Sequence, residues 1–394
     1  MKKIIYVGGF ELPDKNAAAH RVLSNSKIFR ELGFHVILIG IDKTLKKSDG
    51  LQSFKSRWEG FECYALSYPQ NIKEWLSYLV GRKELISYIK NCDDNVSAVI
   101  YYNYPSVSAL RMFKTNRNKK IKNIPDITEW HSSKGEGVIF SIVKWLDTII
   151  RIRIQSRLSD GIITTSKFMT NMYRSTGKPI LELPTLYDKN VLVNENLKIN
   201  EERILIYIGS PFEVNRAEKD RTTVKERLDK IVESLYRIKN DSKLNFKLKV
   251  YGVTQDDYLR VYPEHITTLQ ELKECVCFYG RQPYSIVIEE LKKADFSVFF
   301  RDETRVNLAG FPSKLAESIT CGIPVITNKL QSLQNYENKP GIFLCANGDE
   351  MKLLKHCIQM SERELKEIKS LTYLSRTFDY NEYKSFTNKF LKEI

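Results

Sequence analysis

No Cys-x-x-Cys pair occurs in the chain of 394 residues, and its seven cysteines (Cys63, Cys92, Cys275, Cys277, Cys321, Cys345 and Cys357) are odd in number and scattered. That pattern argues against a disulfide framework and against a cysteine-based zinc site. It fits reduced thiols in a cytoplasmic protein. No stretch approaches the roughly 18 to 20 apolar residues that a membrane span needs. The run Ile4-Ile5-Tyr6-Val7 after Met1-Lys2-Lys3 is too short for a signal-peptide core and reads as a buried strand. Sequence repeats and low-complexity tracts are missing. So is Gly-x-Gly-x-x-Gly, which leaves a nicotinamide-dinucleotide site poorly supported. Helix-turn-helix and RNP-like aromatic patterns are absent too, which weakens a nucleic-acid reading.

What is present is ample core material: 42% hydrophobic and 11% aromatic residues. That composition describes a folded chain, and the length suggests two or three domains at about 100 to 200 residues each. The net charge is +14 and unevenly spread. Residues 1–195 hold 30 Lys and Arg against 19 Asp and Glu, whereas residues 196–394 hold 32 against 29. A basic first half points to nucleic acid, an anionic membrane surface or phosphorylated substrates.

Short apolar runs alternate with helical patterns. The first series is Ile4–Val7, His35–Gly40, Ser97–Tyr102, Pro125–Trp130 and Gly161–Thr165. It stops after Ser166, crosses a polar stretch at 187–203, and restarts at Ile204–Ile208, Phe246–Tyr251, Val276–Tyr279, Phe296–Phe300, Pro324–Thr327 and Ile342–Leu344. Continuous apolar strands separated by helices predict parallel sheets covered on both faces. The expected fold is α/β: two Rossmann-like, doubly wound domains over 1–190 and 200–372, facing a cleft where substrates would sit. The basic segment Arg111–Lys122 reads best as a solvated helix end and loop. Trp75–Ile89 and Val138–Leu158 are aromatic and amphipathic. The second, with Trp145 and Ile154 beside Arg151, Arg153 and Arg157, suits either a membrane-surface helix or an ordinary core helix with cationic edges.

The most informative segment is 296–328, FSVFFRDETRVNLAGFPSKLAESITCGIPVITN. A strand leads through a charged loop to Gly310-Phe311-Pro312-Ser313 and a short helix. Gly322 and Pro324 stop that helix. Ser313 is the expected N-cap. The backbone N–H groups of the helix start then offer an anion site suited to a diphosphate. Glu317 lies one turn on, on the same face, where a carboxylate can accept hydrogen bonds from the vicinal hydroxyls of a ribose.

GFPSKLAES-ITCGIPVI resembles the donor-binding signature of retaining GT-B glycosyltransferases, those of glycosyltransferase family 4. The resemblance implies that Glu317 holds the ribose of a nucleotide-sugar. The family's first Glu falls at Ala309, so its contacts to the donor sugar would have to come from elsewhere, with Asp302, Glu303 and Arg305 as candidates. Pro312, where the family usually has Gly, cannot donate a hydrogen bond. The anion contacts then fall to Phe311, Ser313 and Lys314. In Ile204–Asp220 the strand ends at Gly209, and Lys219 with Arg216, for which Arg221 is the alternative, resemble the cations that neutralise the diphosphate leaving group. Arg281, with Gly280 and Gln282, would lie beside the base. In the first domain Gly9 and Asn16 belong to a small-residue loop that can approach the donor closely. His131 matches the family His that reaches the donor sugar. The tail 375–394 resembles the final GT-B helix that returns to the first domain.

The expected activity is transfer of a sugar from a nucleoside diphosphate sugar to a hydroxyl of a glycan or lipid-diphosphate-linked acceptor. The resemblance implies retention of anomeric configuration, no metal and no cofactor, in surface polysaccharide biosynthesis. The expected location is cytoplasmic, with peripheral contact to an anionic membrane. A sugar-nucleotide epimerase and a non-catalytic GT-B subunit are the rival readings, the second because of Ala309.

Overall fold

The computed structural model describes residues 1–394 except 13–16, 54–57, 93–94, 131–137, 193 and 195–197. Its first sheet has eight strands: β1 (Lys3–Gly8), β2 (His35–Asp42), β3 (Gln52–Ser53), β4 (Glu62–Ser67), β5 (Val96–Tyr102), β6 (Lys122–Ile127), β7 (Ile162–Thr164) and β8 (Ile180–Glu182). Their order is β3-β4-β2-β1-β5-β6-β7-β8. The short edge strand β3 runs antiparallel to β4, and every other pair is parallel.

Strand β1 shows why this sheet is covered twice. Successive side chains point to opposite faces. Ile4 and Tyr6 join one buried cluster with Val36, Leu38 and Ile100, and Ile5 and Val7 join another with Ile37, Ile39 and Val99. Strands β4 and β8 escape the sequence pattern: β4 carries polar Glu62 and Ser67, and β8 is three residues long. The strand expected over Pro125–Trp130 instead spans Lys122–Ile127. Its polar residues are held in place. Asn123 accepts hydrogen bonds from Tyr101 and Asn116 at 2.9 and 2.8 Å. Asp126, fully buried, accepts from Tyr6 and from Arg21 at 2.8 Å. Arg21 also donates to the carbonyls of Leu183 and Pro184 at 2.8 and 3.0 Å, tying the helix Ala17–Glu31 to the chain beyond β8.

The second sheet is all parallel, in the order β11-β10-β9-β12-β13-β14. Its strands are β9 (Arg203–Ile208), β10 (Phe246–Tyr251), β11 (Val276–Gly280), β12 (Phe296–Val298), β13 (Val325–Asn328) and β14 (Ile342–Cys345). Beneath it lies a fully buried ion pair, Lys369 to Asp295 at 3.3 Å. Asp295 also accepts from the Ile204 backbone N–H at 2.9 Å and from Asn200.

The chain divides into two compact units. The first comprises Met1–Tyr187, Ala309–Phe311 and Tyr380–Ile394, and the second Asp188–Leu308 and Pro312–Asp379. The closing helix is Lys384–Glu393, shorter than the 375–394 stretch of the sequence reading. In the first unit Lys384 pairs with Glu31 at 2.9 Å, and Phe390 packs so close to Gly161 that a Cβ there would lie 2.7 Å from its ring.

Trp75–Ile89 is two helices, Ile72–Val80 and Lys83–Asn91, broken at Gly81 where φ is +128°. Of the basic segment, Arg117 and Lys119 cap backbone carbonyls at the surface. Among the described residues no helix is long and apolar enough to cross a membrane.

Candidate functional site

In the second unit β9, β10 and β11 end side by side, and the loops leaving them border an open cavity of about 600 Å³. Ser210, Phe212, Lys225, Gly252, Arg260 and Arg281 are among its lining residues. A parallel sheet binds ligands at such carboxyl ends. The backbones there approach closely because two glycines permit it. Gly209 has φ +117° and Gly252 φ +109°, and a Cβ on Gly252 would lie 2.5 Å from the Gly209 carbonyl oxygen. Only glycine adopts this conformation readily and leaves that space.

The helix Ser313–Thr320 follows from its local sequence. Pro312 occupies the cap position and Ser313 is the first helical residue, so the expected Ser313 N-cap is displaced by one. Pro312 makes no side-chain cap, and its extended backbone (ψ 104°) already directs the chain into the helix. Gly322, at φ +75°, ends it. Glu317 is 7% exposed and accepts a hydrogen bond of 2.8 Å from the Tyr284 hydroxyl. Tyr284 opens the helix Tyr284–Lys293 that follows β11.

Lys314 does something the sequence did not announce. Its side chain is buried and its ammonium donates to the Glu226 carboxylate. Glu226, itself 2% exposed, also accepts from the Tyr207 hydroxyl at 2.6 Å and from Arg301 at 2.6 and 3.1 Å. The Lys314 ammonium lies 4.2 Å from the Tyr207 ring centre. Burial alone would raise the Glu226 pKa, but Lys314 and Arg301 outweigh it and hold the carboxyl at about 2. Burial lowers the Lys314 ammonium to about 8; Glu226 opposes this, and Arg301 and Lys225 reinforce it. The two downward shifts have different causes: two cations outweigh burial at Glu226, and burial outweighs the single carboxylate at Lys314.

The other expected site residues are scattered. Gly209 meets Lys314: a Cβ on it would stand 3.3 Å from the ammonium. Arg281 is exposed and lines the cavity. Arg216 is half-buried on the short helix Val214–Ala217, and its Nε has no hydrogen-bond partner among the described residues. Lys219 is exposed. Gly310 and Phe311, half-buried, group with the first unit. Ala309 is fully buried there among Ile127, Ile162, Met169 and Tyr173, a setting in which a carboxylate would be costly. Of the candidates to replace the missing Glu, Asp302 is engaged by Arg227 at 3.1 Å. Gly9 is exposed, with the Tyr78 hydroxyl 3.7 Å from where its Cβ would be. Asn16 and His131 lie outside the described residues. Sequence reasoning missed Tyr207, Glu226, Tyr284 and Arg301. The run Lys225-Glu226-Arg227 looks like any charged loop, and nothing in it marks the middle residue as buried.

Residues 219–376 match the family model described as Glycosyl transferases group 1. No curated protein matches the sequence. Solved structures match along the whole chain. Sucrose-phosphate synthase from Thermosynechococcus elongatus is 13% identical, with 100% of this chain and 99% of that chain covered at a TM-score of 0.66. Anabaena Alr3699/HepE in complex with UDP and glucose is 11% identical, with both chains covered in full at 0.65. A glycosyltransferase from Rickettsia africae is 15% identical, with 100% and 98% covered at 0.68. At these identities the likeness is one of fold, and the fold is GT-B.

Proposed function

We propose that the chain is a glycosyltransferase that moves a sugar from a nucleoside diphosphate sugar to a hydroxyl acceptor. The second unit takes the donor and the first unit the acceptor. The observation that carries this reading is the gathering at the ends of the second sheet: the Glu317 carboxylate oriented by Tyr284, the buried Lys314 ammonium beside Gly209, and a cavity of about 600 Å³. A carboxylate suits the ribose hydroxyls, a cation the diphosphate, and a cavity the base or sugar. The glycosyl transferases group 1 match over 219–376 supports it, as does HepE, whose fold this chain shares and which was solved with UDP and glucose.

The finer reading is transfer with retention, with the departing phosphate taking the acceptor proton and neither metal nor cofactor taking part. Arg216 would assist the leaving group, and His131 would reach the donor sugar. The acceptor is a glycan or lipid-diphosphate-linked saccharide of surface polysaccharide synthesis. Contact with an anionic membrane goes with such an acceptor. In its favour are exposed apolar side chains on the helices Ile72–Val80 (Ile72, Leu76, Val80) and Val138–Ile150 (Ile142, Trp145, Leu146), with exposed Arg153 and Arg157 following the latter. Such a pairing of apolar and cationic groups fits a bilayer surface.

The test is incubation with UDP-, GDP-, ADP- and TDP-linked sugars, following nucleoside diphosphate release with and without a lipid-diphosphate saccharide. Release that requires the acceptor supports transfer. Sugar-nucleotide conversion without acceptor would support an epimerase instead. Failure of the wild type to bind any donor overturns the reading and leaves the non-catalytic subunit.

A further inference from the structure

We propose that Arg82 is the centre of a second anion site, within the first unit, that takes the diphosphate of an acceptor carried on a lipid chain. The proposal rests on the reading of the first unit as the acceptor side and names the residues that recognise the acceptor there.

Three observations carry it. The first is an unmatched charge. Arg82 is only 6% exposed, yet no carboxylate among the described residues pairs with it. Its one hydrogen bond among them runs from Nη1 to the Ser67 hydroxyl at 3.3 Å. Buried charges in proteins are ordinarily paired. Arg151, the other buried guanidinium in this part of the unit, obeys that rule with Asp147 at 2.6 Å. The Tyr78 ring, centred 5.6 Å from the Arg82 guanidinium carbon, offers a weaker partner than an anion would. A guanidinium carries five N–H donors in a planar fork that fits phosphate oxygens. Arg82 commits one of them.

The second is position. Ser67 is the last residue of β4, and Gly9 follows directly on β1. Both therefore stand at the carboxyl ends of parallel strands, where such sheets bind ligands. The Tyr78 hydroxyl reaches to 3.7 Å from where a Cβ on Gly9 would be, and Gly9 is exposed. That hydroxyl makes no hydrogen bond to any described residue. Burial pushes its pKa well above the ordinary value, with Tyr104 adding to the shift and Arg82 and Arg151 opposing it. It therefore remains a neutral donor. The ring is held between Trp75 and Tyr104, with centres 5.9 and 5.5 Å away. An uncommitted cationic fork and an uncommitted phenol donor thus meet beside a bare glycine backbone.

The third is the surface leading to Arg82. Ile72, Leu76 and Val80 are exposed and spaced four residues apart, so they form one stripe along the helix Ile72–Val80. Tyr78 belongs to the same helix, and the stripe ends two residues before Arg82. An apolar strip that ends at an unmatched cation is complementary to an amphiphile with an apolar chain and an anionic head. A free phosphate would leave the stripe unused. A neutral lipid would leave the fork unpaired.

The test is isothermal titration with three probes: farnesyl diphosphate, farnesol and inorganic pyrophosphate. The protein is first saturated with whichever of UDP, GDP, ADP and TDP it binds, so that the donor site is filled. The wild type should bind farnesyl diphosphate at least about tenfold more tightly than either of the other two probes. Arg82→Met should lose at least about tenfold in farnesyl diphosphate affinity, with nucleoside diphosphate affinity unchanged and a thermal melt reporting its folding. Arg82→Lys, which keeps the charge and loses the fork, should recover part of that loss. Leu76→Asp, at a side chain that is already exposed, should weaken farnesyl diphosphate and leave pyrophosphate as it was. Pyrophosphate bound as tightly as farnesyl diphosphate would mean a site for free phosphate and overturns the lipid-linked acceptor. Farnesol bound as tightly would mean an apolar groove alone and overturns the anion site. Equal farnesyl diphosphate affinity in wild type and Arg82→Met, or no farnesyl diphosphate binding by the wild type, overturns the proposal and leaves the donor site standing. Absence of nucleoside diphosphate binding counts against the donor site instead, and the comparison at Arg82 is then made without nucleotide.

Discussion

The Tyr284 hydroxyl donates a 2.8 Å hydrogen bond to the Glu317 carboxylate, from the start of one helix to the second turn of another. The tyrosine is 43% exposed and the glutamate 7%. The phenol fixes one oxygen of the carboxylate and so orients the other.

If Glu317 holds the ribose, Glu317→Ala should lower nucleotide affinity by tenfold or more, since a charge-assisted hydrogen bond is worth about 1.5–3 kcal/mol. Tyr284→Phe should cost only a few-fold, by releasing the carboxylate's orientation. In the double variant the tyrosine change should cost nothing further, because its partner has gone. Calorimetric titration of the four proteins gives the cycle.

Glu226 makes a prediction about acid. Its carboxyl is held at about 2 in the folded chain, against 4.5 for a free glutamate. A depressed carboxyl contributes stability that is full above pH 4.5 and is lost as pH falls towards about 2. Glu226→Gln should therefore flatten the acid limb of the unfolding curve in that window. At pH 7 it should destabilise the second unit by on the order of 3 kcal/mol, because Arg301 and Lys314 are left buried and unmatched. Denaturant melts from pH 2 to 7 check both.

The two glycines of the site should respond differently to alanine. Both have positive φ, so both variants are strained. Gly252→Ala also drives its methyl into the Gly209 backbone at 2.5 Å, whereas Gly209→Ala meets the Lys314 ammonium at 3.3 Å, the end of a flexible side chain. Gly252→Ala should lose folding stability by about 2 kcal/mol or more. Gly209→Ala should keep more of its stability but lose diphosphate affinity. Thermal melts and titration separate the two.

Asp295→Ala should unfold the second unit readily. It removes the sole carboxylate bonded to buried Lys369 among the described residues, together with an acceptor for Ile204 and Asn200. Burial already lowers the Lys369 pKa, with Asp295 opposing that shift. Breaking one partner of a buried pair costs about 3–5 kcal/mol. The double change Asp295→Ala with Lys369→Met should recover part of that loss, which urea melts would show.

For the membrane surface, Trp145→Asp with Leu146→Asp should abolish co-sedimentation with vesicles rich in anionic phosphatidylglycerol. Both side chains are already exposed, at 61% and 46%, so folding should hardly change. Equal sedimentation of wild type and variant would show that this face does not meet the bilayer.

The sequence by itself determined the alternation of apolar strands and helices, and with it the two parallel sheets. Burial on both faces demands runs such as Ile4–Val7 that cannot be mistaken. It also located the segment 310–322, because glycine and proline restrict the backbone whatever surrounds them. Strands β4 and β8 were not legible, one too polar and the other too short. Nor was the use made of Lys314. The sequence makes it one of three anion contacts at a helix start, and nothing there marks its side chain as buried and paired. Its meaning comes from Glu226, 88 residues away in sequence, and from Arg301 in the loop after β12. Only tertiary packing brings them together, because a charge's role depends on burial and on which other charges share its low-dielectric surroundings. Neither quantity is a property of a residue's neighbours in the chain.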